Sequence, residues 1–540
     1  MCKRSPQRLW FLGAAVAAVL ALGGAGGGLS PAGTAGAVEP AALATYHYND
    51  ARTGGDPQEH VLTAAAVRQR SLRRLWTAGV EGDLYASPLV IPGVAVRGRP
   101  TTVVYAATEH DAVYAFDAAT GARLWGPVSL GTPVPRASLP CGNIDPVGIT
   151  GTPVVDRASG TLFAVAQTIT DGGRTRAYRI AALSLDAGTM RPGWPVTIEP
   201  PPAGSVRFDA GPQQQRGALT FLHGVVYVPF GGYWGDCGDY HGWVVAVPVS
   251  SPARQEAYAT PTTRMGGIWA PGGMAADGEG RLYAGTGNSD SRGRVDFGEA
   301  VLRLETAPAL RFSGLARDYF MPSNYVPLND TDTDLGSVTP IVLPDQPDTA
   351  TPHLVFTAGK QGVAYLINRD NMGGVAKGDG VGGEGVYSRC VFGDCRSGGG
   401  RVFSAGAYWD GGPAGRFVYL PGVGRGAQPQ PCRGSGGVVA LRLGASAQSR
   451  RATMDVAWCS PSMGDPGAPA VTGTGGAAVV WVIDTAAGVL HAFDARTGAA
   501  LYSSGSGDSP GATHRFVTPA VFDGRVYVGA ARAVVAYGLK

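Results

Sequence analysis

Two distant stretches of this chain have almost the same sequence. They are VYAFDAATGARLW at residues 113–125 and LHAFDARTGAALY at residues 490–502. Each contains an alternating strand pattern, an Asp and a Gly that bracket a turn, and a second strand, which together are typical of a β-hairpin. A repeat of this kind indicates a fold built from many copies of one small unit, so the 540 residues need not be divided into several domains.

A second recurring element marks where each unit begins. It is a pair of residues, usually a small residue followed by Pro, that precedes a short apolar strand. Eight such pairs occur along the chain: Ser87-Pro88, Thr152-Pro153, Gly217-Ala218, Ala270-Pro271, Thr339-Pro340, Ser404-Ala405, Ala468-Pro469 and Thr518-Pro519. Most are followed by another apolar strand that contains Tyr, Phe or Trp, so each unit predicts a sheet of four short strands.

Eight small sheets of this kind predict a β-propeller. A twisted four-stranded sheet cannot bury both of its faces alone, whereas sheets stacked around a central channel bury them against each other. The last unit ends at Lys540 after three strands, and residues 71–78 supply an unassigned strand before the first unit. We therefore predict an all-β, eight-bladed propeller of four-stranded antiparallel blades, closed by the N-terminal strand and with minimal helix. Two separate β-sandwiches are the alternative.

The N-terminus is typical of an export signal. Lys3 and Arg4 precede an apolar run at residues 10–22, and the sequence Ala35-Gly36-Ala37 matches a cleavage site. We predict a signal peptide at residues 1–37, an N-terminal extension at 38–70 and the propeller at 71–540. The apolar run is too short for a typical membrane span. The mature protein is then secreted and has no membrane span, with an uncleaved signal anchor as the alternative.

The cysteines and the charge exclude several classes of protein. Of seven cysteines, all but Cys2 belong to the mature chain, and an even number in an oxidising compartment predicts up to three disulfides. The sequence C-x-x-C-H of a c-type haem site does not occur, nor does a zinc-binding pattern. A net charge of +3 without a cluster of Lys and Arg argues against nucleic acid as a partner.

The repeat Y-A-x-D-x-x-T-G-x-x-L-W resembles that of the quinoprotein alcohol dehydrogenases. This family binds pyrroloquinoline quinone (PQQ) over the mouth of an eight-bladed propeller, with a Ca²⁺ ion beside the cofactor in the active enzymes. The resemblance extends over residues 71–540. Non-catalytic assembly scaffolds of the outer membrane carry a similar repeat, so the function has to be argued from the site.

Residues 266–288 resemble the family segment that holds the quinone and the metal. By that resemblance Trp269 stacks beneath PQQ, and Asn288 supplies an oxygen ligand to Ca²⁺. The alternative is that Trp269 is a core residue and that Gly287-Asn288 only turns the chain.

Two further segments resemble the catalytic part of the family site. In residues 333–337, Asp334 stands where the family has its catalytic base, which takes the proton of the alcohol. In residues 358–370, Lys360 stands where a Lys or Arg contacts the quinone oxygens. A solvated acidic turn is the alternative interpretation of Asp334.

Two cysteines mark departures from the family. In residues 139–153, Cys141 occupies the position of a pair of adjacent cysteines that lies beside the quinone, and in residues 235–247, Cys237 replaces the Glu that binds Ca²⁺. Losing that carboxylate weakens the predicted metal site severely. By this resemblance both cysteines lie at the channel mouth, so we predict that a Cys141–Cys237 disulfide joins blades two and three. Proximity favours two further pairs, although sequence does not fix the connectivity: Cys390–Cys395 and Cys432–Cys459.

These observations leave two functional hypotheses. The first is an exported PQQ-dependent dehydrogenase that oxidises an alcohol, polyol or sugar and passes electrons to a separate acceptor, because no haem site is present. The second is a non-catalytic propeller that binds a protein or a glycan at its channel mouth. The joint presence of Trp269, Asn288, Asp334 and Lys360 favours the first, whereas Cys141 and Cys237 favour the second.

Overall fold

The predicted ring of eight blades is confirmed. The structure, a computed structural model, describes residues 42–378, 380, 383–396, 400–424, 432 and 436–540. In these residues eight four-stranded antiparallel sheets form a ring. The predicted signal peptide at residues 1–37 lies outside the described residues.

The four strands of a blade follow one another along the chain, with two exceptions: Gly374–Val375, which pairs with blade 4, lies between the third and fourth strands of blade 5, and blade 8 takes its fourth strand from the N-terminal part of the chain. The strands of blades 1 to 4 are Leu89–Val96, Arg99–Ala107, Ala112–Asp117 and Arg123–Ser129; Val154–Asp156, Thr161–Thr170, Thr175–Ser184 and Val196–Thr197; Thr220–Leu222, Val225–Gly232, Trp243–Pro248 and Glu256–Ala259; and Ala275–Ala276, Leu282–Gly285, Val301–Leu304 and Tyr319–Met321. Those of blades 5 to 8 are Ile341–Val342, Leu354–Ala358, Val363–Asn368 and Tyr387–Cys390; Ala407–Asp410, Arg416–Gly424, Gly436–Ala445 and Ala452–Cys459; Ala470–Thr472, Val479–Asp484, Val489–Asp494 and Ala500–Ser503; and Ala520–Phe522, Arg525–Ala530, Ala533–Leu539 and Leu72–Gly79.

The remaining elements are short. Two-residue strands extend the blades or connect them: Gly55–Asp56, Gln213–Gln214, Val338–Thr339, Gly374–Val375, Gly400–Arg401 and Ser404–Ala405. The α-helices of the described residues are Ala64–Arg70 and Tyr325–Asp330, and the 3-10 turns are Arg136–Ser138, Ala316–Asp318, Leu335–Ser337, Gly412–Ala414 and Gly475–Ala477. In this part of the chain no helix has both the length and the apolar character that crossing a bilayer requires.

The core lies between neighbouring blades. In the strand Val479–Asp484 every residue is buried, because a blade has another blade on each side. Successive side chains of a strand point to opposite faces of the sheet. Val480 and Val482 accordingly pack with residues of blade 6, whereas Trp481 packs with residues of blade 8. Burial of each large apolar side chain stabilises the fold by about 1.5–3 kcal/mol.

The N-terminal strand closes the ring as predicted, shifted by one residue. The strand Leu72–Gly79 pairs antiparallel with Ala533–Leu539, with Leu72 opposite Leu539 and Gly79 opposite Ala533. The first strand of the propeller thereby completes its last blade. Closure removes the open edges that a row of short sheets would otherwise expose.

Residues 42–56, which we call the N-terminal segment, bond to all eight blades. Their partners in blades 1 to 8, in order, are Val90 with Leu43, Val155 with Ala44, Leu219 with Arg52, Ala276 with Asp50, Val342 with Ala51, Tyr408 with Thr53, Val471 with Gly54, and Val521 with Tyr48. Each bond is made at or next to the first strand of the blade. The segment therefore runs across the channel and ties the first strands together.

Candidate functional site

A pocket of about 730 Å³ opens at the end of the channel opposite the N-terminal segment. Its walls come mainly from the connections that lead into the first strands of blades 1 to 6 and 8. We call it the mouth pocket. Its volume falls within the range of about 300–1,000 Å³ that is usual for small-molecule sites. Tyr46 of the N-terminal segment lines a smaller cavity that shares four residues with it: Tyr85, Arg216, Arg515 and Phe516.

Three of the predicted site residues meet in the mouth pocket. Lys360 Nζ lies 2.8 Å from Asp334 Oδ2 and 5.5 Å from the centre of the Trp269 ring. The three residues come from different blade connections, so the fold and not local sequence brings them together. Asp332, which the sequence did not assign to the site, accepts a second bond of 2.6 Å from Lys360.

Both oxygens of the Asp334 carboxylate have partners. The carboxylate is buried, with its Oδ1 accepting a hydrogen bond of 2.8 Å from the backbone N–H of Asn288 and its Oδ2 facing Lys360. Burial opposes the positive charge of Lys360, but the carboxylates of Asp334 and Asp332 raise the pKa of its ammonium group overall. At neutral pH the site therefore contains a cation held between two carboxylates.

Gly287 explains how these groups come so close. A Cβ atom at this position would lie 2.9 Å from Nε1 of Trp269 and 3.2 Å from Oδ1 of Asp334. Only a residue without a side chain leaves the indole and the carboxylate in place. Asn288, predicted as a metal ligand, is buried and meets the site through its backbone N–H.

Glu299 is a neighbour of the site that the sequence did not reveal. It is fully buried, and its Oε2 accepts a hydrogen bond of 2.6 Å from the backbone N–H of Leu335. Its Oε1 has no hydrogen-bond partner in the described residues. Burial and the nearby charge of Asp334 raise the pKa of Glu299 well above its usual range. No local pattern marks it, because a single Glu before an apolar strand is ordinary.

Cations and aromatic rings cover the rest of the pocket. The guanidinium of Arg216 lies 4.6 Å from the centre of the Phe516 ring, and that of Arg515 lies 5.4 Å from the centre of the Phe403 ring. The rings of Trp269 and Phe516 meet edge to face, with centres 6.5 Å apart. Such a lining offers flat apolar surface together with positive charge.

The predicted disulfides are confirmed. Cys141, on the connection between blades 1 and 2, is bonded to Cys237 of blade 3, and their Cα atoms are 5.9 Å apart. A Cβ atom at Gly235, which lines the pocket, would lie 3.4 Å from Sγ of Cys141, so this disulfide stands at the rim. The other two bonds join Cys390 to Cys395 and Cys432 to Cys459.

The residues of the pocket do not fit a Ca²⁺ ion. The sulfur of Cys237 is part of a disulfide and carries no charge, and Asp334 already has a partner on each oxygen. Ca²⁺ prefers six to eight oxygen ligands with several carboxylates among them. Across the described residues, no group of three or more His, Cys, Asp or Glu side chains is placed to hold a metal ion.

A planar ligand with several carboxylates, such as PQQ, fits the pocket better. Its rings match the aromatic surfaces of Trp269, Phe403 and Phe516, and its charges match the four basic side chains: Arg216, Lys360, Arg401 and Arg515. Flat aromatic ligands stack on such rings, and arginine binds carboxylates through two parallel bonds.

Structural comparison finds the same fold in solved quinoprotein structures. The quinohemoprotein alcohol dehydrogenase ADHIIG from Pseudomonas putida HK5 superposes with a TM-score of 0.62 at 16% identity, over 93% of this chain and 80% of that chain. The quinohemoprotein alcohol dehydrogenase from Comamonas testosteroni gives 0.60 at 16% identity, over 94% and 81%. A europium-containing methanol dehydrogenase gives 0.60 at 15% identity, over 93% and 98%. No family model and no curated protein matches the sequence. The likeness shown by these comparisons is one of fold alone.

Proposed function

We propose that this protein is a quinoprotein-type dehydrogenase. It binds PQQ in the mouth pocket and oxidises an alcohol, polyol or sugar. The observation that carries this proposal is the contact of Lys360 with Asp334 above the face of Trp269. A base, a cation and an aromatic surface are the groups that such a reaction needs, and they share one pocket.

The aromatic and basic side chains hold the ligand. The Trp269 ring supports one face of the quinone, while Arg216 and Arg515 bind its carboxylates. Phe516 and Phe403 lie beside these guanidinium groups and restrict their positions. The pocket therefore orients the ring plane of the ligand and compensates its negative charge.

Asp334 takes the proton of the substrate hydroxyl. The N–H of Asn288 holds Oδ1 of the carboxylate and Lys360 holds Oδ2, so the acceptor oxygens of this base have fixed positions in the pocket. A bound quinone supplies the two-electron acceptor for the carbon-bound hydrogen. Electrons then leave to a separate acceptor, because the sequence has no c-type haem site.

Export agrees with this proposal. The three disulfides are compatible with an extracellular protein, since such bonds persist in oxidising compartments. We infer that residues 1–37 direct secretion and are removed.

A titration with PQQ tests the proposal. Purified protein should show saturable quenching of Trp fluorescence, and Trp269→Phe should remove most of that change. Trp125→Phe, which removes an indole bonded to Leu185 outside the pocket, is the matched control and should keep it. Failure of the wild-type protein to bind PQQ at any concentration up to the solubility limit refutes the proposal.

Turnover tests the role of Asp334 separately. With PQQ bound, an alcohol, polyol or sugar should reduce an artificial electron-accepting dye. Asp334→Asn should bind PQQ yet reduce the dye at least about 100-fold more slowly, because it cannot take the proton. An unchanged rate in this variant assigns the base to another residue.

One observation favours the second candidate function, a non-catalytic propeller that binds a glycan or protein. Trp234, on the rim of the mouth pocket, is 70% exposed, whereas large apolar side chains are usually covered. An exposed indole is a common platform for sugar rings and protein partners. Binding of a glycan that Trp234→Ala abolishes, in a protein that does not bind PQQ, would support this second function.

A further inference from the structure

The ammonium group of Lys360 has the surroundings of a bound cation. Three oxygens lie close to its nitrogen: Oδ2 of Asp334 at 2.8 Å, Oδ1 of Asp332 at 2.6 Å, and the backbone carbonyl of Asp332 at 3.1 Å. The side chain of Lys360 is only 15% exposed. A charge buried in this way needs partners, and here all of them are oxygens.

One of these three partners can be exchanged. The Asp332 side chain is 64% exposed, whereas that of Asp334 is 4% exposed. Because water solvates the exposed carboxylate of Asp332, breaking its contact with Lys360 costs little free energy. An anionic oxygen of a ligand can then take the place of this carboxylate at Lys360. Asp334 stays bound, because both of its oxygens have partners.

The remaining carboxylate in the mouth pocket is also engaged. Oδ1 of Asp236 accepts a hydrogen bond of 2.5 Å from the hydroxyl of Tyr240. The next residue, Cys237, is closed into a disulfide with Cys141, so it offers no thiolate to a metal. On this side of the pocket the carboxylate is hydrogen-bonded through Oδ1 and the sulfur carries no charge.

The pocket has a positive charge balance from its own side chains. Its lining contains four basic residues, Arg216, Lys360, Arg401 and Arg515, against three carboxylates, Asp236, Asp332 and Asp334. A ligand with several carboxylates therefore finds compensating charge in the protein. A divalent cation would approach Asp334 against the charge of Lys360, which is already in contact with it.

We infer that the mouth pocket binds its carboxylated quinone without a divalent metal, and that the ammonium of Lys360 takes the place of the metal ion. This inference rests on the proposed function, since it concerns the ligand of the same site. It differs from what the resemblance implied, which was a Ca²⁺ ion bound through Asn288. Lys360 is thus the cation that pairs with Asp334 and receives an anionic oxygen of the ligand.

Metal dependence of PQQ binding is the first test. Trp fluorescence titrations with PQQ are run on the purified protein in EGTA and in excess Ca²⁺, and the two Kd values should agree within about twofold, which is under 0.5 kcal/mol. Binding that needs Ca²⁺, or that Ca²⁺ strengthens more than about tenfold, overturns the inference and leaves the proposed function intact. Absence of binding in both buffers is a different result, because it rejects the proposed function and the inference with it.

Substitution of Lys360 is the second test. In EGTA, Lys360→Met should weaken PQQ binding at least about tenfold, since it removes the charge and keeps much of the length, whereas Lys360→Arg should retain most of the affinity. Lys377→Met, at a lysine that does not line the pocket, is the matched control and should bind as the wild type. Thermal unfolding confirms that each variant is folded. Wild-type affinity in a folded Lys360→Met variant overturns the inference.

A metal probe completes the experiment. Tb³⁺ resembles Ca²⁺ in its preference for oxygen ligands, and a nearby indole sensitises its luminescence. Without PQQ, the wild-type protein should give no saturable Tb³⁺ signal that Trp269→Phe removes. A saturable signal with that dependence places a metal in the mouth pocket and contradicts the inference.

Discussion

Nε of Arg52 donates a hydrogen bond of 3.0 Å to the backbone carbonyl of Met274. The N-terminal segment is thereby bonded to the residues that lead into the first strand of blade 4. Arg52 is fully buried, and its other nitrogens donate to four further oxygens: Oγ1 of Thr45, the carbonyl of Tyr46, the carbonyl of Leu219 and Oγ1 of Thr220. One side chain therefore ties the segment to blades 3 and 4.

Removal of Arg52 should destabilise the propeller strongly. Arg52→Ala leaves buried carbonyl groups without donors, and we expect the free energy of unfolding to fall by about 3–5 kcal/mol. Urea unfolding measures this loss. Arg68→Ala is the control, because Arg68 is largely exposed. Its guanidinium forms a long ion pair of 4.0 Å with Oδ2 of Asp494, which is worth about 0–1 kcal/mol. Equal losses in the two variants would contradict this role of Arg52.

The Cys141–Cys237 disulfide at the rim should stabilise the fold more than the Cys390–Cys395 disulfide, which closes the smallest loop. Cys141 and Cys237 are separated by 96 residues, and Cys390 and Cys395 by 5. Chain entropy then predicts a stabilisation of about 4.7 kcal/mol for the first bond and about 2 kcal/mol for the second. Urea unfolding of the paired Cys→Ser variants, one pair at a time, gives the two values. A larger loss for the Cys390 and Cys395 pair would refute the ordering.

Asp111 and Glu109 form a buried acidic pair in the turn between the second and third strands of blade 1. Asp111 is fully buried, and neither of its carboxylate oxygens has a hydrogen-bond partner in the described residues. Burial, and then the charge of Glu109, raises the pKa of Asp111 to about 8. Burial also raises the pKa of Glu109 to about 7, although Gly148 and Thr150 donate hydrogen bonds to it.

This pair should make the fold less stable at high pH. In the unfolded chain an Asp ionises near pH 3.9, so the folded protein binds more protons between that pH and the raised pKa values. The stability contributed by protonated Asp111 is complete below about pH 4 and is lost as the pH rises through about 8. Asp111→Asn should flatten the fall in the free energy of unfolding between about pH 5 and 8. Urea unfolding across this pH range measures the effect, and a slope equal to the wild type contradicts it.

Gly287→Ala should disturb the mouth pocket directly. The added methyl group meets the indole of Trp269 and the carboxylate of Asp334, and we expect a loss of about 1–3 kcal/mol in unfolding free energy together with weaker PQQ quenching. Gly278→Ala is the control, because a Cβ atom there has no neighbour within 4 Å. Unaltered quenching in a folded Gly287→Ala variant would show that the approach of these two groups is not needed for binding.

The repeat made the fold predictable. Each blade is a local unit with its own strands and turns, so the pattern of small residue, Pro and apolar strand located all eight of them. The closing strand was also predictable, to within one residue, because the last unit lacked a fourth strand. The Cys141–Cys237 bond was predicted from the resemblance of two segments to the quinoprotein alcohol dehydrogenases, which implied that both cysteines lie at the channel mouth.

Other parts of the site depend on contacts between distant residues that carry no local pattern. Arg216 and Phe516 lie in connections without a recognisable motif, yet they meet across the channel. Glu299 has a positive φ of 54° and contacts the site through the backbone N–H of Leu335. No sequence pattern indicates either feature. Arg52 was one arginine among many until the structure showed its five acceptors.

The N-terminal segment also sets an order of events during biogenesis. The ribosome makes residues 42–56 before any blade, but two of their partners, Val471 and Val521, belong to the blades made last. The segment therefore has to wait, without these partners, while most of the polypeptide is synthesised. The contacts of the segment are therefore complete only after blade 8 has formed, because Tyr48 bonds to Val521 of that blade.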